Sequence, residues 1–343
     1  MIIIIVGGCL KLFVEGFGKS VARRDNQILI KENDKITNYY IIDDIEQVII
    51  TGKGSITFDA MSLLASKNVE TIVLNWKGEV VYQLLPTQNK HVNVKKEQYS
   101  ALNDYRSGYL AKSFIKAKIE NQKAVLGTLS KSRENSQFLL EKRDNLTKLI
   151  SQLDDLRNRP VDDMRNNILG IEGIAANDYW EAIKTIIPEE FNFQKRSGRH
   201  AKDPVNSMLN YGYAILQTNI VNGLYLAGLD IYCGYLHAER YGRMSLVFDL
   251  IEEFRQQIVD KTVFSMVNQN QIKVDDFEIK DNIVIIGDDK RRALISKIMK
   301  KLKSNLKYND EDTTYEEIIF SQANLISKFL LKKEKYIGFS LRW

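Results

Sequence analysis

Cysteine is nearly absent, with Cys9 and Cys233 the only two in 343 residues. That scarcity excludes a disulfide-stapled scaffold and a cysteine-built zinc site, and it fits a reducing, cytoplasmic setting. Prolines are few (Pro86, Pro160, Pro188 and Pro204), so long stretches can run as unbroken helix. Long hydrophobic runs are missing as well. Met1–Val6 is apolar, but Gly7-Gly8 ends it and no basic segment precedes it. It is too short for a signal core or a membrane span and reads as a buried β-strand, so no membrane association is expected. There is no His-Glu-x-x-His, no Gly-x-Ser-x-Gly elbow and no dinucleotide fingerprint. Gly18-Lys19-Ser20 imitates the end of a P-loop, but Phe13 stands where the first glycine is required. Gly52–Ser55 reads as a turn before a helix.

What remains is the composition of a globular protein, 44% hydrophobic and 27% charged, long enough for two cores. A net charge of +5 permits a nucleic-acid partner without specifying one. Before Pro86 the chain is β-rich. Gln27–Ile30, Tyr39–Ile42, Gln47–Ile50, Thr71–Leu74 and Glu79–Leu85 are short β-branched or aromatic runs, with a turn at Trp76-Lys-Gly78. One amphipathic helix, Ser55–Ser66, interrupts them. The stretch after Pro86 is polar and aperiodic. From Glu97 onward the apolar spacing is helical, with further helices predicted at 164–187, 204–227, 245–262, 290–308 and 314–332. Asp203-Pro204 supplies an N-cap and a first helical residue. The expected fold class is α+β: a small N-terminal β-rich domain (1–86), a linker (87–97) and a larger all-α domain (98–343).

Three residues in distinctive local contexts suggest chemistry: Glu172 in Leu169-Gly-Ile-Glu-Gly173, His237 in Gly234-Tyr-Leu-His237, and Glu252 in Ser245–Arg255. Two carboxylates and an imidazole can cradle Mg2+ or Mn2+ acting on phosphate esters. Asp249 lies three residues before Glu252, on one helix face, where mutual repulsion calls for a cation such as a metal or Arg255. Taken singly, each has a plainer reading: a solvated acidic face, a packing histidine, an exposed helix carboxylate. Basic residues form a second group. Arg106, Lys112, Lys116 and Lys123 fall near one helical side, and Lys195, Arg196 and Arg199 lie in a basic loop. Such residues suit DNA phosphates, although lysine-rich helices are commonly just solvated.

Together the segments Leu169–Ala176 with Tyr179-Trp180, Asp203–Leu216, Ala227–Asp230, Gly234–His237 and Ser245–Arg255 resemble the CRISPR-associated protein one family in order and spacing. Ala117–Gln122 and the β-rich opening agree, while little is recognisable after about Gln271. The resemblance implies a metal-dependent DNA endonuclease and integrase of CRISPR adaptation. It would insert short foreign DNA fragments as new spacers by attack of a 3′-hydroxyl on a backbone phosphate. It implies a metal trio of Glu172, His237 and Glu252 binding Mg2+ or Mn2+, with Asp249 as a further acid, in a helical catalytic domain. It also implies a homodimer formed through the β-domain, and as partners double-stranded and branched DNA and the small ferredoxin-like CRISPR-associated protein two. The alternatives are a non-catalytic DNA-binding scaffold and an unrelated helical interaction module.

Overall fold

The computed structural model describes residues 2–6, 9–67, 69–74, 80–84, 92–131, 136–198, 200–237 and 240–341. The expected turn at Trp76–Gly78, the Gly7-Gly8 stop, the first part of the linker and Arg199 lie outside the described residues.

The chain divides into two compact units, Met1–Gln88 and Asn89–Trp343. The first is a mixed sheet with one helix. Its strands are β1 (Ile2–Val6), β2 (Cys9–Arg24), β3 (Gln27–Glu32), β4 (Lys35–Ile41), β5 (Ile45–Ile56), β6 (Glu70–Leu74) and β7 (Val80–Leu84). Helix α1 (Phe58–Ser66) joins β5 to β6. The order is β4-β3-β2-β5-β6-β7, with β1 also on β2. The long β2 serves two partners on one edge, β1 along its first part and β3 along its last, while β5 runs parallel to it on the other. Leu12, Val21, Ile28, Ile30 and Val48 bury their side chains against Ala60, Leu63 and Leu64 of α1. Thr57 caps α1 by accepting from the Ala60 N–H at 3.2 Å, which stops Ser55 and Ile56 from joining the helix as expected.

Both glycine motifs of this unit are strand features. Gly18, at φ +70°, makes a bulge in β2 beside Lys19. A Cβ on Gly54 would come within 2.1 Å of the Lys19 carbonyl oxygen. Gly52–Ser55 is therefore part of β5 rather than a turn, its glycine required by the close approach of β2.

The second unit is mostly helical: α2 (Val92–Ser100), α3 (Tyr105–Ser130), α4 (Ser136–Asp155), α5 (Arg165–Lys184), α6 (Pro204–Leu226), α7 (Ser245–Ile251) and α8 (Lys261–Asn268). α2 starts at Val92, so residues 92–97 are helical and not the end of a linker. Asp203 caps α6 by accepting from the Asn206 N–H at 2.8 Å, with Pro204 following. The single helix expected over 245–262 is broken. α7 ends at Ile251, a turn carries Glu252 to Phe254, and a wide π-type turn spans Gln256–Asp260 before α8.

After Gln271 the unit is not purely α. β8 (Phe277–Lys280) pairs with β9 (Ile283–Ile286), then α9 (Asp288–Leu302), then β10 (Asn305–Tyr308) pairs with β11 (Glu311–Thr314), then α10 (Tyr315–Leu330). Each hairpin closes on two residues with positive φ, Asp281-Asn282 and Asn309-Asp310, the geometry that matches strand twist. The expected helix to Tyr308 thus ends at Leu302. α3 packs on α4 and α5, and α6 packs on α7, α9 and α10, so the segments bearing Glu172, His237 and Glu252 surround α3 and α6.

Candidate active site

His237 lies on the irregular stretch between α6 and α7. Gly234 lets that stretch pass the start of α7, since a Cβ there would lie 2.6 Å from the Ser245 backbone. Asp249, fully buried on α7, accepts the backbone N–H groups of Tyr235, Leu236 and His237 at 2.5, 3.1 and 2.9 Å. The same carboxylate meets His237 Nδ1 at 2.7 Å. A carboxylate at Nδ1 favours the tautomer protonated there and leaves Nε2 with its lone pair. Asp249 is thus an orienting group, and the acid pair 249/252 does not share a cation: its members face different partners.

Glu252 leaves the end of α7 with its side chain 6% exposed. Glu172 comes from the middle of α5, next to Gly173, where a Cβ would meet nothing within 4 Å. Between the two acids stands Lys118 of α3, its Nζ 2.5 Å from Glu172 Oε1 and 2.7 Å from Glu252 Oε2. Arg255 Nε lies 3.1 Å from the other oxygen of Glu252. Burial pushes the Glu252 carboxyl up, but Arg255, Lys118 and His237 more than offset it and hold the pKa at about 2. Burial pushes the Lys118 ammonium down, yet Glu252 and Glu172 outweigh it and the pKa is raised.

Lys118, Glu172 and Glu252 line a cavity of about 390 Å³ with Trp180, Arg196 and Arg255. Its basic wall is braced from behind. Arg196 donates to Asn206 Oδ1 and Asn210 Oδ1 at 2.9 and 2.7 Å. The guanidinium groups of Arg196 and Arg255 stack on the Tyr213 ring at 5.2 and 4.5 Å. Tyr213 and Tyr179 in turn donate to Asp260 at 2.5 and 2.9 Å. Burial raises the Asp260 pKa to about 6, against the pull of those two hydroxyls. Planar guanidinium groups held in this way can face a phosphate without having to be ordered first.

The other expected DNA contacts divide. Arg106 is a correction: its side chain is 3% exposed and donates to Glu97, Asp104 and the Leu330 carbonyl. Its guanidinium joins α2, α3 and α10 and is unavailable to a phosphate. Lys112 donates to the Leu156 carbonyl, and Lys116 pairs with Asp154 at 2.7 Å. These two, with Lys123, Arg143 and Lys335, line a separate cleft of about 790 Å³. Lys195 is exposed at the rim of the acid-bearing cavity.

Lys118 carries little signal in the sequence, although it lies inside the family-like segment Ala117–Gln122. Its signal was faint: Lys118 and Gln122 are four apart, on a different face from Lys112, Lys116 and Lys123. Asn121, in the same segment, has no distinguishing sequence signal either. Its Nδ2 donates to the Glu253 and Phe339 carbonyls at 2.8 and 2.9 Å.

Among the described residues no three His, Cys, Asp or Glu side chains are gathered closely enough to hold a metal ion as they stand. The donor set nevertheless suits a hard divalent cation. Two carboxylates from different helices converge on one point of positive charge. The buried Glu252 Oε2 makes no well-directed hydrogen bond, although Lys118 Nζ is near. The imidazole is fixed through Nδ1 by Asp249. Glu172 and Glu252, with His237 on the neighbouring segment, are the residues that could hold such an ion.

A family model described as CRISPR associated protein Cas1 matches residues 12–300. The "CRISPR-associated endonuclease Cas1 1" of Archaeoglobus fulgidus is 38% identical over 345 residues, covering 97% of this chain and 100% of that protein. The "CRISPR-associated protein Cas1 3" of Methanobrevibacter ruminantium is 40% identical over 337 residues, covering 97% and 100%. Among solved structures, a casposase bound to integration product superposes with a TM-score of 0.83 at 26% identity, covering 96% of this chain and 93% of that one. A CAS1 protein from Thermotoga maritima shares the fold, with a TM-score of 0.79 at 20% identity and coverage of 96% and 100%. With its profile matched over most of its length and relatives that align end to end, the chain belongs to the CRISPR-associated Cas1 family.

Proposed function

We propose that the chain is a DNA endonuclease and integrase of CRISPR adaptation, dependent on Mg2+ or Mn2+. The observation that carries this reading is the convergence of Glu172 and Glu252 on one ammonium group, together with an imidazole on the preceding segment that Asp249 orients. Family membership supplies the setting. The Archaeoglobus fulgidus relative is named an endonuclease, and the casposase neighbour is bound to an integration product.

The reaction is transfer of a phosphodiester. The 3′-hydroxyl of an incoming DNA end attacks a backbone phosphate of the repeat. The attacking hydroxyl gives up its proton as a new P–O bond forms, the opposite P–O bond breaks, and the departing 3′-oxygen takes up a proton, so that none is gained or lost overall. Water in place of the 3′-hydroxyl gives strand cleavage. Glu172, His237 and Glu252 would hold the cation, which supplies charge stabilisation at the phosphoryl oxygens. Arg196 and Arg255 flank the cavity with fixed positive charge against the phosphate. Asp249 keeps Nε2 of His237 aimed by tying down Nδ1.

The partners follow the same reading: double-stranded and branched DNA, a second copy of this chain through the β-rich unit, and a Cas2-type protein. A Cas6-RT-Cas1–Cas2 complex shares the fold over 98% of this chain, with a TM-score of 0.81 at 21% identity. No described helix is long and apolar enough to cross a membrane, and a cytoplasmic setting is part of the proposal. The test is a Mn2+-dependent cleavage and strand-transfer assay of His237→Ala. Activity falls below detection while thermal unfolding and duplex binding stay near the parent values. Full activity in that variant refutes the assignment.

A further inference from the structure

Lys118 stands at the one point that both glutamates can share. Its Nζ is 2.5 Å from Glu172 Oε1 and 2.7 Å from Glu252 Oε2, and only 12% of its side chain is exposed. A Mg2+-sized cation bound to both of those oxygens would sit roughly 2.0–2.1 Å from each, inside the space the ammonium fills. The two cannot be neighbours at that distance without strong repulsion. Among the described residues Lys118 pairs with these two acids, and its stem is long and flexible. The same side chain lines the cavity that holds Arg196 and Arg255, so a modest rotation keeps it within a basic wall open to an incoming anion.

We propose that Lys118 is an internal competitor for the divalent cation: it occupies the shared position, yields it when the metal enters, and then turns its ammonium to the DNA phosphate. The inference rests on the cation site proposed above and deepens it. Holding the two carboxylates together with an ammonium keeps them preorganised and stops them repelling each other apart. The device also couples the two ligands. DNA phosphate draws Lys118 away from the acids, which clears the position for metal, and metal frees Lys118 for phosphate. Coupling of this kind is reciprocal, so DNA raises metal affinity by the factor by which metal raises DNA affinity.

The test is a Mn2+ titration of the full chain by calorimetry, first without DNA, comparing the parent with Lys118→Met and Lys118→Gln. Both variants remove the charge and keep much of the stem, so the second serves if the first fails to fold. With the competitor gone, Mn2+ binds about tenfold tighter or more. Adding a branched duplex tightens Mn2+ binding to the parent, and that gain shrinks in the variants. At saturating Mn2+ the variants transfer strands more slowly, because the phosphate has lost an ammonium. Mn2+ affinity that is unchanged or weaker in a folded variant overturns the competitor role. Glu252→Gln separates this from failure of the site itself. If the parent binds one Mn2+ and Glu252→Gln does not, the site stands whatever Lys118 does. If neither the parent nor the Lys118 variants bind Mn2+, both readings fall.

Discussion

Helix α3 presents lysines on two sides, and they do different work. On one side Lys118 is enclosed between Glu172 and Glu252. On the other, Lys116 pairs with Asp154 of α4 and Lys123 with Glu120 one turn earlier on α3, all four lining a cleft open to solvent. Water screens the second set, so each pair is expected to contribute little. On the first side Lys118 and Glu252 are more enclosed, at 12% and 6% exposed, and there each charge depends on the others, so that removing one leaves its partners uncompensated. The turn after α7 repeats the lesson in adjacent residues. Glu252 faces Arg255 and Lys118 and is held at a pKa of about 2. Glu253, one residue on, faces the C-terminal segment, and burial raises it to about 8 although Tyr336 and Phe339 donate to it at 2.6 and 2.7 Å.

The sharpest way to break this comparison is to act on the enclosed side. Glu172→Gln or Glu252→Gln reduces Mn2+-dependent cleavage by at least about a thousandfold, as expected when a metal ligand is lost from a preorganised site. A steady-state cleavage assay checks it, and near-parent rates would erase the contrast. Glu253→Ala comes next, through stability. It strands the Tyr336 hydroxyl and the Phe339 N–H, at a cost of about 2–4 kcal/mol read by urea unfolding.

The pH dependence of stability sharpens the contrast between the two glutamates. Glu252 is lowered in the folded chain, so its contribution is present above its unfolded pKa of about 4.5 and is lost as pH falls toward 2. Glu253 is raised, so its contribution is complete below about 4.5 and is lost as pH rises through about 8. Glu253→Gln therefore flattens the decline in unfolding free energy between pH 5 and 8, by a few kcal/mol on the order-of-magnitude scale of such linkage. An unchanged slope would count against the buried carboxyl.

The solvent side gives the smallest effects. Lys112→Glu with Lys116→Glu weakens duplex binding about tenfold and lowers the salt slope by about two. Mn2+ affinity stays at the parent value. An unaltered salt slope removes that cleft from the DNA path. Lys116→Ala alone changes stability by no more than about 0.5 kcal/mol.

Where the chain carried strong local signals, its sequence was a good guide. Asp203-Pro204 marks the start of α6 because an N-cap and a proline specify the same residue twice. The periodicity over 164–187 predicts a helix, and the structure places α5 at Arg165–Lys184. Glu172, His237 and Glu252 could be singled out, but only through the company they keep, since no local rule brings three distant stretches together. Lys118 and Arg106 show where reading stops. Both look like solvated helix lysine or arginine, and only the packing of α3 against its neighbours shows one held between two acids and the other tied to Glu97, Asp104 and Leu330. The break at Glu252–Phe254 and the wide turn at Gln256–Asp260 are likewise tertiary effects in a run with unbroken helical pattern. The two hairpins after Gln271 had a cue in Asp281-Asn282 and Asn309-Asp310, but strands of four residues carry too little alternation to announce themselves.

The most direct measurement is an anomalous difference map from crystals of this chain soaked in Mn2+. The account predicts one strong peak bounded by Glu172, His237 and Glu252, with the Lys118 ammonium displaced from between the glutamates. A map with no peak at that position, or with the ion bound elsewhere while Lys118 keeps both its contacts, would contradict it.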